Sequence, residues 1–372
     1  MFDLNLVPYL LLFAVFAVPA MKQVIAPSPS SQLWFLLAGL LLIVVIGLRY
    51  EIGADWWTYV YLIRYVEVAS FMQGLRKAEP AYSLLNMAAA QMHWGLWFPD
   101  LVCATIFTYG LLKFCRDQSN ASLALAVSVP YLVIGVAMGY TRQSAALGFI
   151  FLAIHLYGQG KIVKMLICLV LATTFHTSAI VMVGVLGLAT VRKGFLIAVI
   201  LLFMGGFLAY EFLGTIQLLL TRYSAARYTA GGALPRLLMN ILPAMIFLSM
   251  RKRLATNESE LRLWTVFSLL AFFSALLLLM VRSSTIVDRF GIYLGPLQVF
   301  VLSRLPAALG TRLRPNALVA AGILLYSLAV EVVWLTFGRW GDAWLPYSSY
   351  LWQPGKDQGP PLWYRQVIRG LP

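Results

Sequence analysis

Solid apolar runs of near membrane-spanning length recur from one end of the chain to the other, and they leave few folds open. "LWFLLAGLLLIVVIGL" (33–48) and "FSLLAFFSALLLLMV" (267–281) carry no charge at all. A soluble domain of ordinary composition holds about 25% charged residues; here the figure is 11%, with 61% hydrophobic residues. The mean hydropathy of +0.82 points the same way. A transmembrane barrel would alternate apolar and polar positions, and these runs do not. The fold class is therefore an all-α polytopic membrane protein.

Helices are expected near 6–20, 32–48, 99–114, 121–138, 143–157, 162–174, 177–190, 194–213, 236–250, 263–281, 289–303 and 316–337. That makes about twelve transmembrane or half-length helices, several being shorter than the roughly 20 residues of a straight span. The first is read as a retained helix, because no basic residue precedes Lys22 as a signal peptide would require. A single multi-helix domain is expected over 1–337, with large loops at 49–98 and 214–235 and a C-terminal tail at 338–372. Within the first loop, "WWTYVYLIRYVEVASFM" reads as an amphipathic interfacial helix, with a second short helix over 83–92. Cys103, Cys115 and Cys168 lie in or beside apolar segments and read as core thiols.

Charge fixes the expected sidedness. With 21–31 cytoplasmic and the connections alternating, the inner loops hold Lys22, Lys113, Arg116, Lys161, Lys164, Arg192, Lys193, Arg251, Lys252, Arg253, Arg262, Arg304, Arg312 and Arg314. Only Asp117, Glu258 and Glu260 oppose them. Dense Lys and Arg in short loops is the positive-inside signature. The outer loops carry Lys77 and Lys356 among otherwise arginine cations. Topology does not require Arg over Lys, whereas bidentate recognition of phosphate or carboxylate does. The outer face reads as an anion-handling surface, with no nucleic-acid partner expected.

The candidate residues gather at the expected outer helix ends: Arg49, Asp55, Glu79, Arg142, His176, Arg282, Asp288 and Arg289. Charges there line a path or end a helix. Arg142 opens a helix in "GYTRQSAALGF", where a cation opposes the macrodipole and calls for an anionic partner. His176 breaks a helix in "TTFHTS". His93 and His155 read as structural.

The ordered segments "LRYEIGADWWTYVYLIR", "EPAYSLLNMAA", "YTRQSAALGFIFLAIHLY", "FHTSAIVM", "DRFGIYL" and "WLPYSSYL" resemble the EpsG-like family of Wzy-type exopolysaccharide polymerases, over about 45–350. The family pattern often has Thr-Asp-Tyr where this chain has Ala54, Asp55 and Trp56. The resemblance implies a GT-C-like membrane glycosyltransferase in the bacterial inner membrane, active at the extracytoplasmic face. It would join oligosaccharide units carried on undecaprenyl diphosphate, among membrane lipid, with a flippase and a chain-length co-polymerase as partners. The matching positions are Arg49, Gly53, Asp55, Glu79, Arg142, Gln143, His176, Arg289 and Tyr293.

Glycosyl transfer needs a base for the acceptor hydroxyl and positive charge for the leaving diphosphate. His176 is the expected base, with Asp55 as its rival. Arg142 and Arg289 are the expected diphosphate contacts, helped by Arg282 or Arg49. Arg222 and Arg227 of the 214–235 loop, Gln143, Glu79 and Tyr293 complete the expected binding set. No cofactor is expected; Asp55, Asp288 and Glu79 supply the oxygen ligands should Mg²⁺ or Mn²⁺ take part. The rival readings are a transporter or flippase of a lipid-linked saccharide, a membrane O-acyltransferase and a non-catalytic receptor.

Overall fold

The computed structural model describes residues 3–27, 31–190, 233–280, 284–311, 314–338, 340–352 and 365. Helix dominates, and no strand is formed among the described residues. The chain divides into two compact units: residues 1–179 with 302–372, and residues 180–301.

The first unit holds α1 (Val7–Ile25), α2 (Gln32–Gly47), α3 (Trp56–Val68), α4 (Phe71–Leu75), α5 (Pro80–Gln91), α6 (Trp97–Arg116), α7 (Ala121–Ser128), α8 (Thr141–Gly158) and α9 (Ile162–Phe175). Local chemistry sets several starts. Ser31 caps α2 by accepting from Trp34 N at 3.0 Å, and Asn120 caps α7 by accepting from Leu123 N at 2.8 Å. Pro80 opens α5, where its missing N–H costs nothing. Ser70 and Gln73 form a capping box on α4, splitting the single interfacial helix read from the sequence into α3 and α4.

α2 is apolar on both faces: Phe35, Ala38, Leu42 and Ile46 are buried, while Leu33, Leu36, Leu37 and Leu40 are exposed. α9 repeats the pattern with Val163, Leu166, Ile167 and Val170 outward. An apolar outward face on a helix suits lipid, not water. α7 is the opposite case, buried at every residue. It continues as a π-helix over Val129–Ala137, whose second residue, Pro130, has no N–H to give the α-helical ladder. α8 follows, and its Gly148 crosses Gly110 of α6 so closely that a Cβ on either would strike the other helix's backbone.

Four helices among the described residues are long and apolar enough to cross a membrane: Leu4–Ile25, Trp97–Arg116, Glu258–Leu276 and Ala317–Phe337. Gln32–Gly47, Ala121–Ala137, Ile162–Phe175 and Thr177–Gly187 are apolar but shorter. Of the roughly twelve transmembrane or half-length helices expected, the described residues thus show eight as apolar helices, four of them of spanning length. The helix break expected near His176 is present, as α9 ends at Phe175 and a 3₁₀ turn covers Thr177–Ala179.

The second unit comprises α10 (Ile180–Thr190), α11 (Ala233–Leu254), α12 (Glu258–Met280), α13 (Ser284–Ile292) and the first part of α14 (Gly295–Ala308). Asn240 Nδ2 of α11 donates to Gly291 O at 2.9 Å, and Arg236 pairs with Asp288. Trp264 stacks on Phe300 at 4.2 Å. The expected helix 289–303 is in fact two, α13 and α14, joined through a turn at Tyr293–Leu294. The expected helix 194–213 lies outside the described residues.

α15 (Ala317–Phe337) returns to the first unit and packs on α1 and α7. After it, residues 340–352 close over the loop between α2 and α3. Tyr50 N donates to Ser348 O at 2.9 Å and Tyr350 N to Leu48 O at 2.8 Å, making an antiparallel bridge between Arg49 and Ser349. Trp344 Nε1 donates 2.8 Å to Ile134 O, a carbonyl of the π-helix. The tail expected from residue 338 is a docked segment as far as Trp352; beyond it only Arg365 is described.

Candidate active site

α5 packs against both α6 and α9, and α3 lies on α5. That layer brings three separated sequence segments together. Glu79, immediately before α5, accepts from Arg142 Nη1 through Oε2 at 2.6 Å. Its Oε1 accepts from Thr177 N at 3.3 Å. The anion that a cation at the start of α8 demands is thus Glu79. Both side chains remain partly open, at 21% exposure for Arg142 and 13% for Glu79.

Tyr59 of α3 and Tyr82 of α5 flank the guanidinium, each ring centroid 5.9 Å from Arg142 Cζ. The two rings meet edge to face at 5.7 Å. Aromatic faces add to the stabilisation of a cation held in this way. Tyr82 Oη, Asn86 Oδ1 one turn further on, and Arg142 Nε are buried without a protein hydrogen-bond partner. The ring of His176, 8% exposed, has Nδ1 2.6 Å from the Ser178 hydroxyl. Burial opposes ionisation of Glu79, but the Arg142 guanidinium, His176 and the backbone hold its carboxyl below the usual carboxylate range.

Arg49 behaves differently. It is 1% exposed and gives Nη1 to Ile46 O at 2.6 Å and Nη2 to Thr141 Oγ1 at 2.6 Å and Asp100 Oδ1 at 3.2 Å. Thr141 Oγ1 in turn donates to Asp100 Oδ1 at 2.9 Å. This buried knot fixes the residue immediately before Arg142. Gly53 holds the same loop from its other end. Its φ is +102°, and a Cβ there would lie 2.6 Å from Met138 O, so the loop meets the corner between the π-helix and α8 backbone to backbone.

Of the residues singled out from the sequence, Glu79, Arg142 and His176 converge. Asp55 sits at the head of α3, its carbonyl accepting from Thr58 N and Tyr59 N, and Gln143 is buried. Arg289, exposed, and Tyr293, buried, belong to the second unit, as does Asp288. Arg222, Arg227 and Arg282 lie outside the described residues. Among the described residues, no group of three or more His, Cys, Asp or Glu side chains is placed to hold a metal ion. Asp100, Thr141, Tyr59 and Tyr82 escaped the sequence reading. The one signal was Asp100 itself, an acid in the first turn of an otherwise apolar helix.

The segments that build this geometry, from the loop after α2 to the docked tail, are those that a sequence model of the EpsG family matches, over residues 32–349. The chain belongs to the EpsG family. That is the family of exopolysaccharide, Wzy-type polymerases, and it is bacterial and membrane-associated. Neither the curated proteins nor the solved structures contain a match to the chain. The family match ends at Ser349, the residue that bridges to Arg49. For an EpsG-family protein, a partly open arginine beside a carboxylate and an imidazole is an arrangement able to bind an anionic oxygen and move a proton.

Proposed function

We propose that this EpsG-family protein joins oligosaccharide units carried on undecaprenyl diphosphate, by glycosyl transfer at the extracytoplasmic face of the bacterial inner membrane. One observation carries the reading: Arg142, Glu79 and His176 meet in a partly open site of a chain that belongs to a polymerase family.

In the reaction, an acceptor hydroxyl oxygen attacks the anomeric carbon of the donor glycan. The bond from that carbon to the diphosphate oxygen breaks, and the diphosphate leaves with the electron pair. Arg142 stabilises the charge that develops on it. His176 takes the hydroxyl proton, oriented through Ser178, and the Glu79 carboxylate favours the imidazolium that results. Arg49 acts through Thr141, positioning Arg142 without touching substrate. Arginine supplies the charge stabilisation without a metal. A GT-C-like architecture, and supply by a flippase with length control by a co-polymerase, belong to the same proposal.

The test uses purified variants with a lipid-diphosphate-linked oligosaccharide. His176→Ala should slow turnover by about 10²-fold or more while donor binding stays. Arg142→Lys should restore little of what Arg142→Ala loses, because a point charge cannot replace a planar fork. EDTA should change nothing. Full activity in His176→Ala would give the proton to Asp55 or solvent instead, and activity abolished by EDTA would refute the metal-free route.

A further inference from the structure

A second cleft, of about 410 Å³, opens beside α3 and takes no part in the arrangement around Arg142. Its aromatic wall is Tyr50, Trp56, Trp57 and Tyr350. Tyr50 meets Trp56 at 5.7 Å and Tyr350 at 5.1 Å, both edge to face, so the rings brace one another. Glu51, Arg64, Glu67 and His93 complete the cleft with polar groups.

Backbone strain converges on the same place. Among the described residues, the non-glycine positions with positive φ are Glu51 and His93, each at +53°. They come from different loops, one after α2 and one after α5, yet both line this cleft. A side-chain-bearing residue holds that conformation only where its surroundings dictate it, and such positions cluster at ligand sites. The docked tail contributes Tyr350, fixed through Tyr350 N to Leu48 O.

We propose that this cleft binds an uncharged saccharide segment of the acceptor glycan. A pyranose ring presents a face of C–H groups bordered by hydroxyls. Aromatic faces suit the first, and carboxylates accepting hydrogen bonds suit the second. Two carboxylates against one guanidinium make the cleft a poor site for a diphosphate, which separates it in chemistry from Arg142. Its volume falls in the range of small-ligand sites. Trp56 on this side and Tyr59 beside Arg142 lie one turn apart on α3, so one helix serves both. The identity of the saccharide as acceptor rests on the polymerase reading; the existence of a saccharide site does not.

The experiment titrates the full chain in nanodiscs with the lipid-free repeat oligosaccharide released from the host's own exopolysaccharide, following binding by calorimetry. Wild type and Arg142→Ala should bind alike. Trp57→Ala should weaken binding by roughly tenfold, the effect of losing one aromatic contact. Glu67→Gln, which loses only an exposed ion pair to Arg64 at 3.1 Å and should leave the fold intact, should weaken it as well. In the polymerisation assay, Trp57→Ala should raise KM for acceptor and spare kcat. No binding by wild type, or equal binding by both cleft variants, overturns the proposal while a polymer ladder keeps the polymerase reading alive. Saccharide binding lost in the cleft variants, with no ladder from any lipid-linked donor, keeps the site and removes the polymerase reading. Heat that follows the anionic-lipid content of the nanodisc and not the oligosaccharide would make the cleft a headgroup site and overturn the proposal.

Discussion

Arg49, at 1% exposure, and Arg142, at 21%, carry the same charge into different surroundings. Arg49 is matched by Asp100, a side chain with no exposure, and taking either partner away leaves an uncompensated buried charge. Asp100→Asn or Arg49→Met alone should destabilise the fold by about 3–5 kcal/mol, whereas Arg49→Met with Asp100→Leu should recover most of it. Thermal melts of the three variants measure this; additive losses would show that the pair is not a unit. Glu79 gives a pH prediction of known sign. Its folded pKa is depressed, so its stabilisation is complete above the ordinary glutamate value of about 4.3 and is lost as pH falls through the lower folded value. The Arg142–Glu79 contact should therefore survive mild acid and fail only below the usual carboxylate range, as a melt series against pH would record. The need of Arg142 for an anion was legible from its place at a helix start. That Arg49 spends itself on Asp100 was not, because an acid at the head of an apolar helix reads equally as a boundary marker.

At the scale of elements, the loop after α2 is held by backbone contacts as well as by the Arg49 side chain. Gly53 lies against the Met138–Gly139 corner, and Trp344 of the tail caps a π-helical carbonyl on the same corner. Gly53→Ala should cost more than 1 kcal/mol and lower activity, since both φ and the available space forbid a Cβ. Trp344→Phe, which removes one buried hydrogen bond, should cost about 1–2 kcal/mol. Melting midpoints and ladder intensity would check both, and a silent Gly53→Ala would contradict the described packing. Helix boundaries here followed closely from the apolar runs and caps, as in α2, α9 and α15. The π-helix did not, because a proline in an apolar run predicts only an interruption and not the geometry that heals it. The docking of residues 340–352 was equally hidden: its hydrogen-bond partners lie 210 to 335 residues away in the chain and leave no periodic trace.

The first unit combines helices with apolar outward faces and a layer, α3 to α5, that brings Glu79 to the start of α8 and the end of α9. Composition and apolar length made the membrane class legible, and six ordered segments made the family legible. The meeting of residues 79, 142 and 176 depends on how α5 lies across α6 and α9, which neither spacing nor charge count encodes. The proposed function makes this meeting point the place where lipid-linked glycan is polymerised. The most direct measurement places wild type and Arg142→Ala in liposomes with a lipid-diphosphate-linked oligosaccharide and resolves the products on a gel. A ladder from wild type and none from an equally well-inserted Arg142→Ala is the predicted result. An undiminished ladder from Arg142→Ala, or lipid appearing in the opposite leaflet with no ladder from either protein, would contradict it.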